Sequence, residues 1–144
     1  MEIRLSAHGA YCHRYHLVWI PKYRKPILKG ELKTFIDQHL MDIQQYHPEV
    51  EMVQWSIQPD HLHLVASIPP KFSVSSIVGK IKANTSRDVR KPFPWIKRVY
   101  GRNEFWSPGF FSSTVGVEEE VIRRYLEFQE KLDSEQLQLS LLFP

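Results

Sequence analysis

The chain has 144 residues, 42% of them hydrophobic, a formal net charge of +3 and one cysteine. That length suits a single globular domain with a real core, and no shift in composition marks a second. No run approaches the ~18–20 apolar residues of a membrane span, and the N-terminus lacks the basic-then-apolar order of a signal peptide, so a cytosolic protein is expected. Cys12 has no partner for an intramolecular disulfide, excludes a cysteine-built zinc cage, and reads as structural in a strand-like run without activating neighbours.

Tyr11 to Ile20 is rich in aromatic and β-branched residues and stops at Pro21, which predicts a strand. Leu32, Phe35, Ile36, Leu40 and Ile43 recur at helical spacing from about Gly30 to Tyr46, with Pro48 just beyond. Met52 to Gln58 alternates, with Val53, Trp55 and Ile57 expected on one face. Gln58-Pro59-Asp60 supplies turn chemistry before a second alternating run, making a hairpin that Pro69 and Pro70 close. Ser73 is the expected N-cap of a helix carrying Val74, Ile77, Val78, Ile81 and Val89, ending before Pro92. Prolines, glycines and tryptophans between Pro92 and Gly109 suggest an irregular basic loop. A strand from about Phe110 to Val115 and a helix from about Glu118 follow. Gln136 to Pro144 shows no strong pattern and is expected to be a tail that packs on a partner.

The order strand, helix, strand, strand, helix, strand matches the split βαβ arrangement. It predicts an α+β fold, a ferredoxin-like or RRM-like antiparallel sheet with helices on one face, plus an added C-terminal helix. The core spans about residues 11–132. There are no repeats and no Gly-rich phosphate loop, so ATP is not an expected substrate.

Charge is unevenly spread. From Lys71 to Asn103 nine bases, among them Lys80, Lys82 and Arg87, face Asp88 alone, whereas from Val117 to Glu135 seven acids face three bases. The first segment suits a surface that meets phosphates. Lys22, Tyr23, Arg24 and Lys25 interleave a ring with charges, as single-stranded nucleic-acid sites often do. A solvated basic face is the alternative reading of both groups, and nucleic-acid binding is the one expected.

The chemistry concentrates in two segments. In a strand His61 and His63 share a face, so two imidazoles stand side by side. In a helix Val121, Ile122, Tyr125, Leu126, Phe128, Gln129 and Leu132 form one arc, with Tyr125 and Gln129 one turn apart inside it. An amide in an apolar arc costs roughly 1–3 kcal/mol unless satisfied. Gln129 therefore needs a partner: an ordinary core hydrogen bond, or a ligand. Two imidazoles, an amide oxygen and a phenol suffice for a metal-assisted phosphoryl transfer with tyrosine as nucleophile. Neither segment decides the matter alone, since a polar strand face also holds histidines without any metal.

In order along the chain, His16-Leu17-Val18-Trp19 with Lys22-Tyr23-Arg24, Pro59-Asp60-His61-Leu62-His63-Leu64, Lys82 to Arg87, Phe105 to Phe111, Thr114-Val115-Gly116, and Tyr125 with Gln129 resemble the single-tyrosine transposases of small insertion sequences. These belong to the HUH endonuclease superfamily. The resemblance runs from about Tyr11 to Gln129, and related tyrosine transposases that act on palindromic repeats share the core motifs.

The resemblance implies that His61, His63 and Gln129 bind a divalent ion, Mg²⁺ or Mn²⁺, and that Tyr125 attacks the scissile phosphate. The product would be a 5′-phosphotyrosine and a free 3′-hydroxyl, ready for reversal without ATP. It also implies single-stranded DNA with hairpin ends as substrate, a homodimer, and a cytoplasmic, nucleoid-associated setting in a prokaryote. Lys22, Tyr23, Arg24, Lys80, Lys82 and Arg87 are the candidate DNA contacts. Asp60 is either a turn residue or a second acceptor orienting a histidine.

Three other readings stay open: a host-adapted nuclease of repeated palindromes, an RRM-like binding module without chemistry, and a small metal-dependent oxygenase or hydrolase. The last lacks the acidic third ligand such sites usually employ.

Overall fold

Alternating apolar residues build the centre of the molecule, which a computed structural model describes at residues 3–6, 9–11, 13–114 and 116–142. Cys12 and Val115 lie outside the described residues. A short hairpin of β1 (Arg4–Ser6) and β2 (Gly9–Tyr11) precedes β3 (Arg14–Trp19), so the expected first strand begins three residues later than its composition suggested. Then follow α1 (Gly30–Tyr46), β4 (Glu51–Gln58), β5 (His61–Ser67), α2 (Val74–Asp88), α3 (Trp95–Tyr100), β6 (Phe111–Ser113) and α4 (Glu119–Leu142).

Four strands form an antiparallel sheet in the order β4-β5-β3-β6, the split βαβ topology. Leu17 and Trp19 from β3 and Leu62, Leu64 and Ala66 from β5 are buried in one cluster with Leu32, Ile36 and Leu40 of α1 and Ile77, Val78 and Ile81 of α2. Each large apolar side chain buried there contributes about 1.5–3 kcal/mol. The Ser73 hydroxyl caps α2 by accepting from the Ser76 amide at 3.1 Å. His39 of α1 and Asp88 of α2 meet at 2.6 Å, joining the two helices.

The other sheet face is not left to water. Val18 and Ile20 are buried there under Leu126, with Ile122, Tyr125 and Phe111 packed alongside. The helix carrying Tyr125 thus lies on the face opposite α1 and α2.

Four local readings are corrected. A bulge between Met52 and Gln54 takes Val53 out of register, so Met52 joins Ile57 in the core and the expected Val53, Trp55, Ile57 face is broken. The segment expected to be an irregular loop contains α3, which starts after Pro94 and buries Ile96 and Tyr100 one turn apart. In α4, Val121 and Phe128 are 37% and 60% exposed, whereas Leu126, Gln129 and Asp133 are buried, so the inward stripe is rotated toward Asp133. Finally, α4 runs through Leu142, so the part of the expected tail from Gln136 to Leu142 is regular helix, because Glu135 to Leu142 holds good helix formers and neither proline nor glycine; Phe143 and Pro144 lie outside the described residues.

Candidate active site

Pairing between β3 and β5 sets His63 opposite Val18 and Val65 opposite His16. Opposed residues share a face, so His16, Val18, His61 and His63 all stand on the side that α4 covers. His16 Nδ1 lies 3.3 Å from His63 Nε2, one of the two nitrogens carrying the proton between them. Burial, then the nearby His16 and His61, lower the pKa of His63. Burial and Arg14 lower that of His16. Both rings therefore favour the neutral form, the form that ligates metals. The sequence reading gave His16 no role, because its place beside His63 depends on strand register.

Asp60 does more than turn the chain. Its Oδ1 pairs with His61 Nδ1 at 2.8 Å, and its Oδ2 accepts from Arg24 Nε at 2.9 Å. Arg24 Nη1 in turn donates to Glu130 of α4 at 3.1 Å. Burial pushes the Asp60 carboxyl up, but the His61 and Arg24 hydrogen bonds outweigh it and hold its pKa below the ordinary value. A chain Glu130–Arg24–Asp60–His61 therefore ties the tyrosine helix to the histidine strand. With Nδ1 engaged, His61 has Nε2 as its remaining ring nitrogen.

Tyr125 packs its ring against Phe111, centroids 5.8 Å apart. Its hydroxyl is buried without a hydrogen-bond partner among the described residues. Burial, with the Asp133 carboxylate adding to it, raises the phenol's pKa above its ordinary value. Gln129, one turn on and 4% exposed, directs its amide nitrogen to Asp133 Oδ1 at 3.2 Å. Asp133, which sequence reasoning missed, has no solvent exposure and also accepts from the Ser107 hydroxyl at 2.8 Å and the Tyr23 amide at 2.9 Å. The available signal was its position, eight residues after Tyr125 and four after Gln129, on one helix stripe.

The candidate DNA contacts separate into two groups. Lys22 pairs with Glu104 at 2.7 Å and Arg24 with Asp60 and Glu130. Tyr23 and Arg24 hold φ of 62° and 53°, a left-handed backbone uncommon outside glycine, and the Asp133 and Arg24 contacts anchor it. Lys82 is turned inward too, donating to the Ser107 and Gly109 carbonyls at 2.6 and 3.0 Å. These four build the site's frame more than its outer surface. Lys80 and Arg87 are exposed, Arg87 beside Asp88.

A divalent cation suits this donor set in part. His61 and His63 are neighbouring donors on one face, and the Tyr125 hydroxyl is an orphaned buried polar atom. Among the described residues no cluster of three or more His, Cys, Asp or Glu could hold a metal. A third protein ligand, if one completes the set, would be of another kind, such as the carboxamide oxygen of Gln129 on the helix that covers this face.

The chain matches the Transposase IS200 like family over residues 10–129, a span that includes both histidines and the tyrosine and ends on Gln129. It is 33% identical over 138 residues to the transposase for insertion sequence element IS200 of Salmonella typhimurium, covering 96% of this chain and 90% of that protein. The ISDra2 transposase TnpA of Deinococcus radiodurans is 28% identical over 130 residues, 90% of this chain and 92% of its own length. A crystal structure of a Deinococcus radiodurans protein assigned as a transposase superposes with a TM-score of 0.75 at 26% identity, covering 88% of this chain and 97% of that one. A REP-associated tyrosine transposase bound to a REP hairpin has a TM-score of 0.52 at 16% identity, covering 88% and 68%, a likeness of fold alone. Among the described residues no helix is long and apolar enough to cross a membrane.

Proposed function

Because the chain belongs to the IS200-like transposase family, we propose that it cleaves and rejoins single-stranded DNA at the ends of an insertion sequence, with Tyr125 as nucleophile. The observation that carries this reading is the packing of the Tyr125 helix over the sheet face that bears His61 and His63. An ordinary core would place apolar residues on that face.

In the proposed step Tyr125 Oη bonds to the scissile phosphorus while the bond from phosphorus to the 3′-oxygen breaks. The phenolic proton is lost and the 3′-oxygen gains one, so the products are a 5′-phosphotyrosine and a 3′-hydroxyl. Attack by another 3′-hydroxyl reverses the exchange and joins new strands without ATP. A divalent cation bound by His61, His63 and Gln129 would neutralise phosphate charge and offset the burial that keeps the phenol protonated. Asp60, held by Arg24, fixes the His61 ring, and His16 supports His63.

One tyrosine per chain holds one DNA end, so joining two ends calls for two copies, and we read the working unit as a homodimer. Hairpin recognition is supported by the fold shared with the REP-hairpin complex. Lys80 and Arg87 remain the outward candidates for phosphate contacts. An insertion-sequence role is favoured over palindromic-repeat processing, because the 33% identity is to an insertion-sequence transposase and the repeat-associated likeness is at 16%.

The test is a denaturing gel of the protein mixed with hairpin-bearing single strands, in Mn²⁺ or EDTA. A covalent adduct that needs the metal and disappears in Tyr125→Phe is expected. Binding without any adduct, across Mg²⁺ and Mn²⁺, would leave a nucleic-acid-binding module in its place.

A further inference from the structure

Asp133 has no part in the reaction as proposed, yet it is a fully buried carboxylate on the tyrosine helix. An uncompensated buried charge is expensive; the nearby Lys82 ammonium offsets this one in part, and three neutral donors hold it directly: Ser107 Oγ and Gln129 Nε2 on Oδ1, the Tyr23 backbone amide on Oδ2. A carboxylate only accepts. The NH₂ end of Gln129 must therefore face Asp133, and its carbonyl oxygen must face elsewhere. That oxygen lies against Gly109, where a Cβ would fall 2.4 Å from Gln129 Oε1, closer than real contacts come. Gly109 is itself held by its carbonyl's hydrogen bond from Lys82.

We propose that Asp133 and Gly109 are positioning residues that seat the Gln129 carboxamide in one orientation, keeping its oxygen as the donor offered to a divalent cation. This rests on the reading of Gln129 as a cation ligand. Without the seat the amide could turn over and present nitrogen, which donates hydrogen bonds and does not ligate.

Asp133→Asn probes the orientation directly. The new amide has one accepting end, and the Tyr23 backbone N–H cannot reverse. The Ser107 hydroxyl and the Gln129 amide can both reverse, so the substituted side chain is expected to keep its oxygen on Tyr23 and to flip Gln129, capturing the oxygen that the cation needs. Gly109→Ala displaces the same oxygen from the opposite side and leaves the charge in place.

The experiment uses the full chain without DNA and Mn²⁺ alone as probe. Mn²⁺ affinity is followed by electron paramagnetic resonance, and the Gln129 side-chain amide by ¹⁵N NMR, assigned through its loss in Gln129→Ala. Asp133→Asn and Gly109→Ala should each move that resonance and weaken Mn²⁺ binding about tenfold or more. Combining either with Gln129→Ala should cost nothing beyond Gln129→Ala, which a general loss of fold would not reproduce. If Asp133→Asn does not fold, Gly109→Ala decides by the same two readouts. Weaker Mn²⁺ binding in Gln129→Ala but wild-type affinity in the folded seat variants would overturn the proposal alone. Wild-type affinity in Gln129→Ala would overturn the ligand reading, and the proposal with it.

Discussion

His61 Nδ1 and Asp60 Oδ1 lie 2.8 Å apart, a contact between chain neighbours that leaves Nε2 as the ring nitrogen open to a ligand. Partners of this kind commonly set metal affinity by roughly 10–100-fold. Asp60→Ala should therefore weaken Mn²⁺ binding by about that factor while hairpin binding persists, as titration calorimetry and gel shift would register. Unchanged affinity would reduce Asp60 to a turn residue.

Tyr125→Phe offers a separation of chemistry from stability. The Tyr125 hydroxyl is buried and makes no hydrogen bond among the described residues, and an unpaired buried polar group costs about 1–3 kcal/mol. Removing it should raise the unfolding temperature by a few degrees, for a gain of roughly 1 kcal/mol, while adduct formation is lost. Calorimetric scanning of both proteins without metal measures this. A lower Tm would mean that the hydroxyl has a partner in solution.

The strand and helix order from β3 to α2 was legible because period-two and period-3.6 patterns are local properties. Gln129 was legible as a misfit, an amide inside an apolar arc that had to find a partner. What lay hidden depends on register and on distant partners. The Met52/Gln54 bulge removes Val53 from an alternation that looked unbroken, and His16 joins the site only through its pairing across the sheet. Asp133 looked like one of many helix acids until Tyr23 and Ser107 closed on it. Lys22, Arg24 and Lys82 looked like phosphate contacts because charge alone does not say whether a side chain turns inward.

The clasp between α1 and α2 has an acid limit. The hydrogen bond from Arg87, then that from His39, lowers the Asp88 carboxyl to about 2. A carboxyl depressed on folding adds stability that is full above its unfolded value and is lost as pH falls through the folded one. Asp88→Asn should therefore be less stable than wild type at about pH 6, with the difference shrinking below about pH 4, mostly lost by about pH 2 and gone below it. Urea unfolding at stepped pH values reads this out, and a constant difference would place the effect in packing.

Lys82 should make the fold more stable in the alkaline range. Burial lowers its ammonium to about 8, only partly opposed by the Asp133 carboxylate. The unfolded chain then binds more protons than the folded one between about pH 8 and the ordinary lysine value, so stability rises with pH across that window. As the neutral amine, Lys82 still has two N–H donors for the Ser107 and Gly109 carbonyls, so the frame of the site survives deprotonation. Wild type should accordingly gain on Lys82→Met between about pH 7.5 and about pH 10, because the methionine variant loses those hydrogen bonds at every pH and carries no buried charge to relieve. Equilibrium unfolding of the pair at both pH values tests it. A gap that stays constant or narrows with rising pH would show that the Lys82 ammonium is solvated.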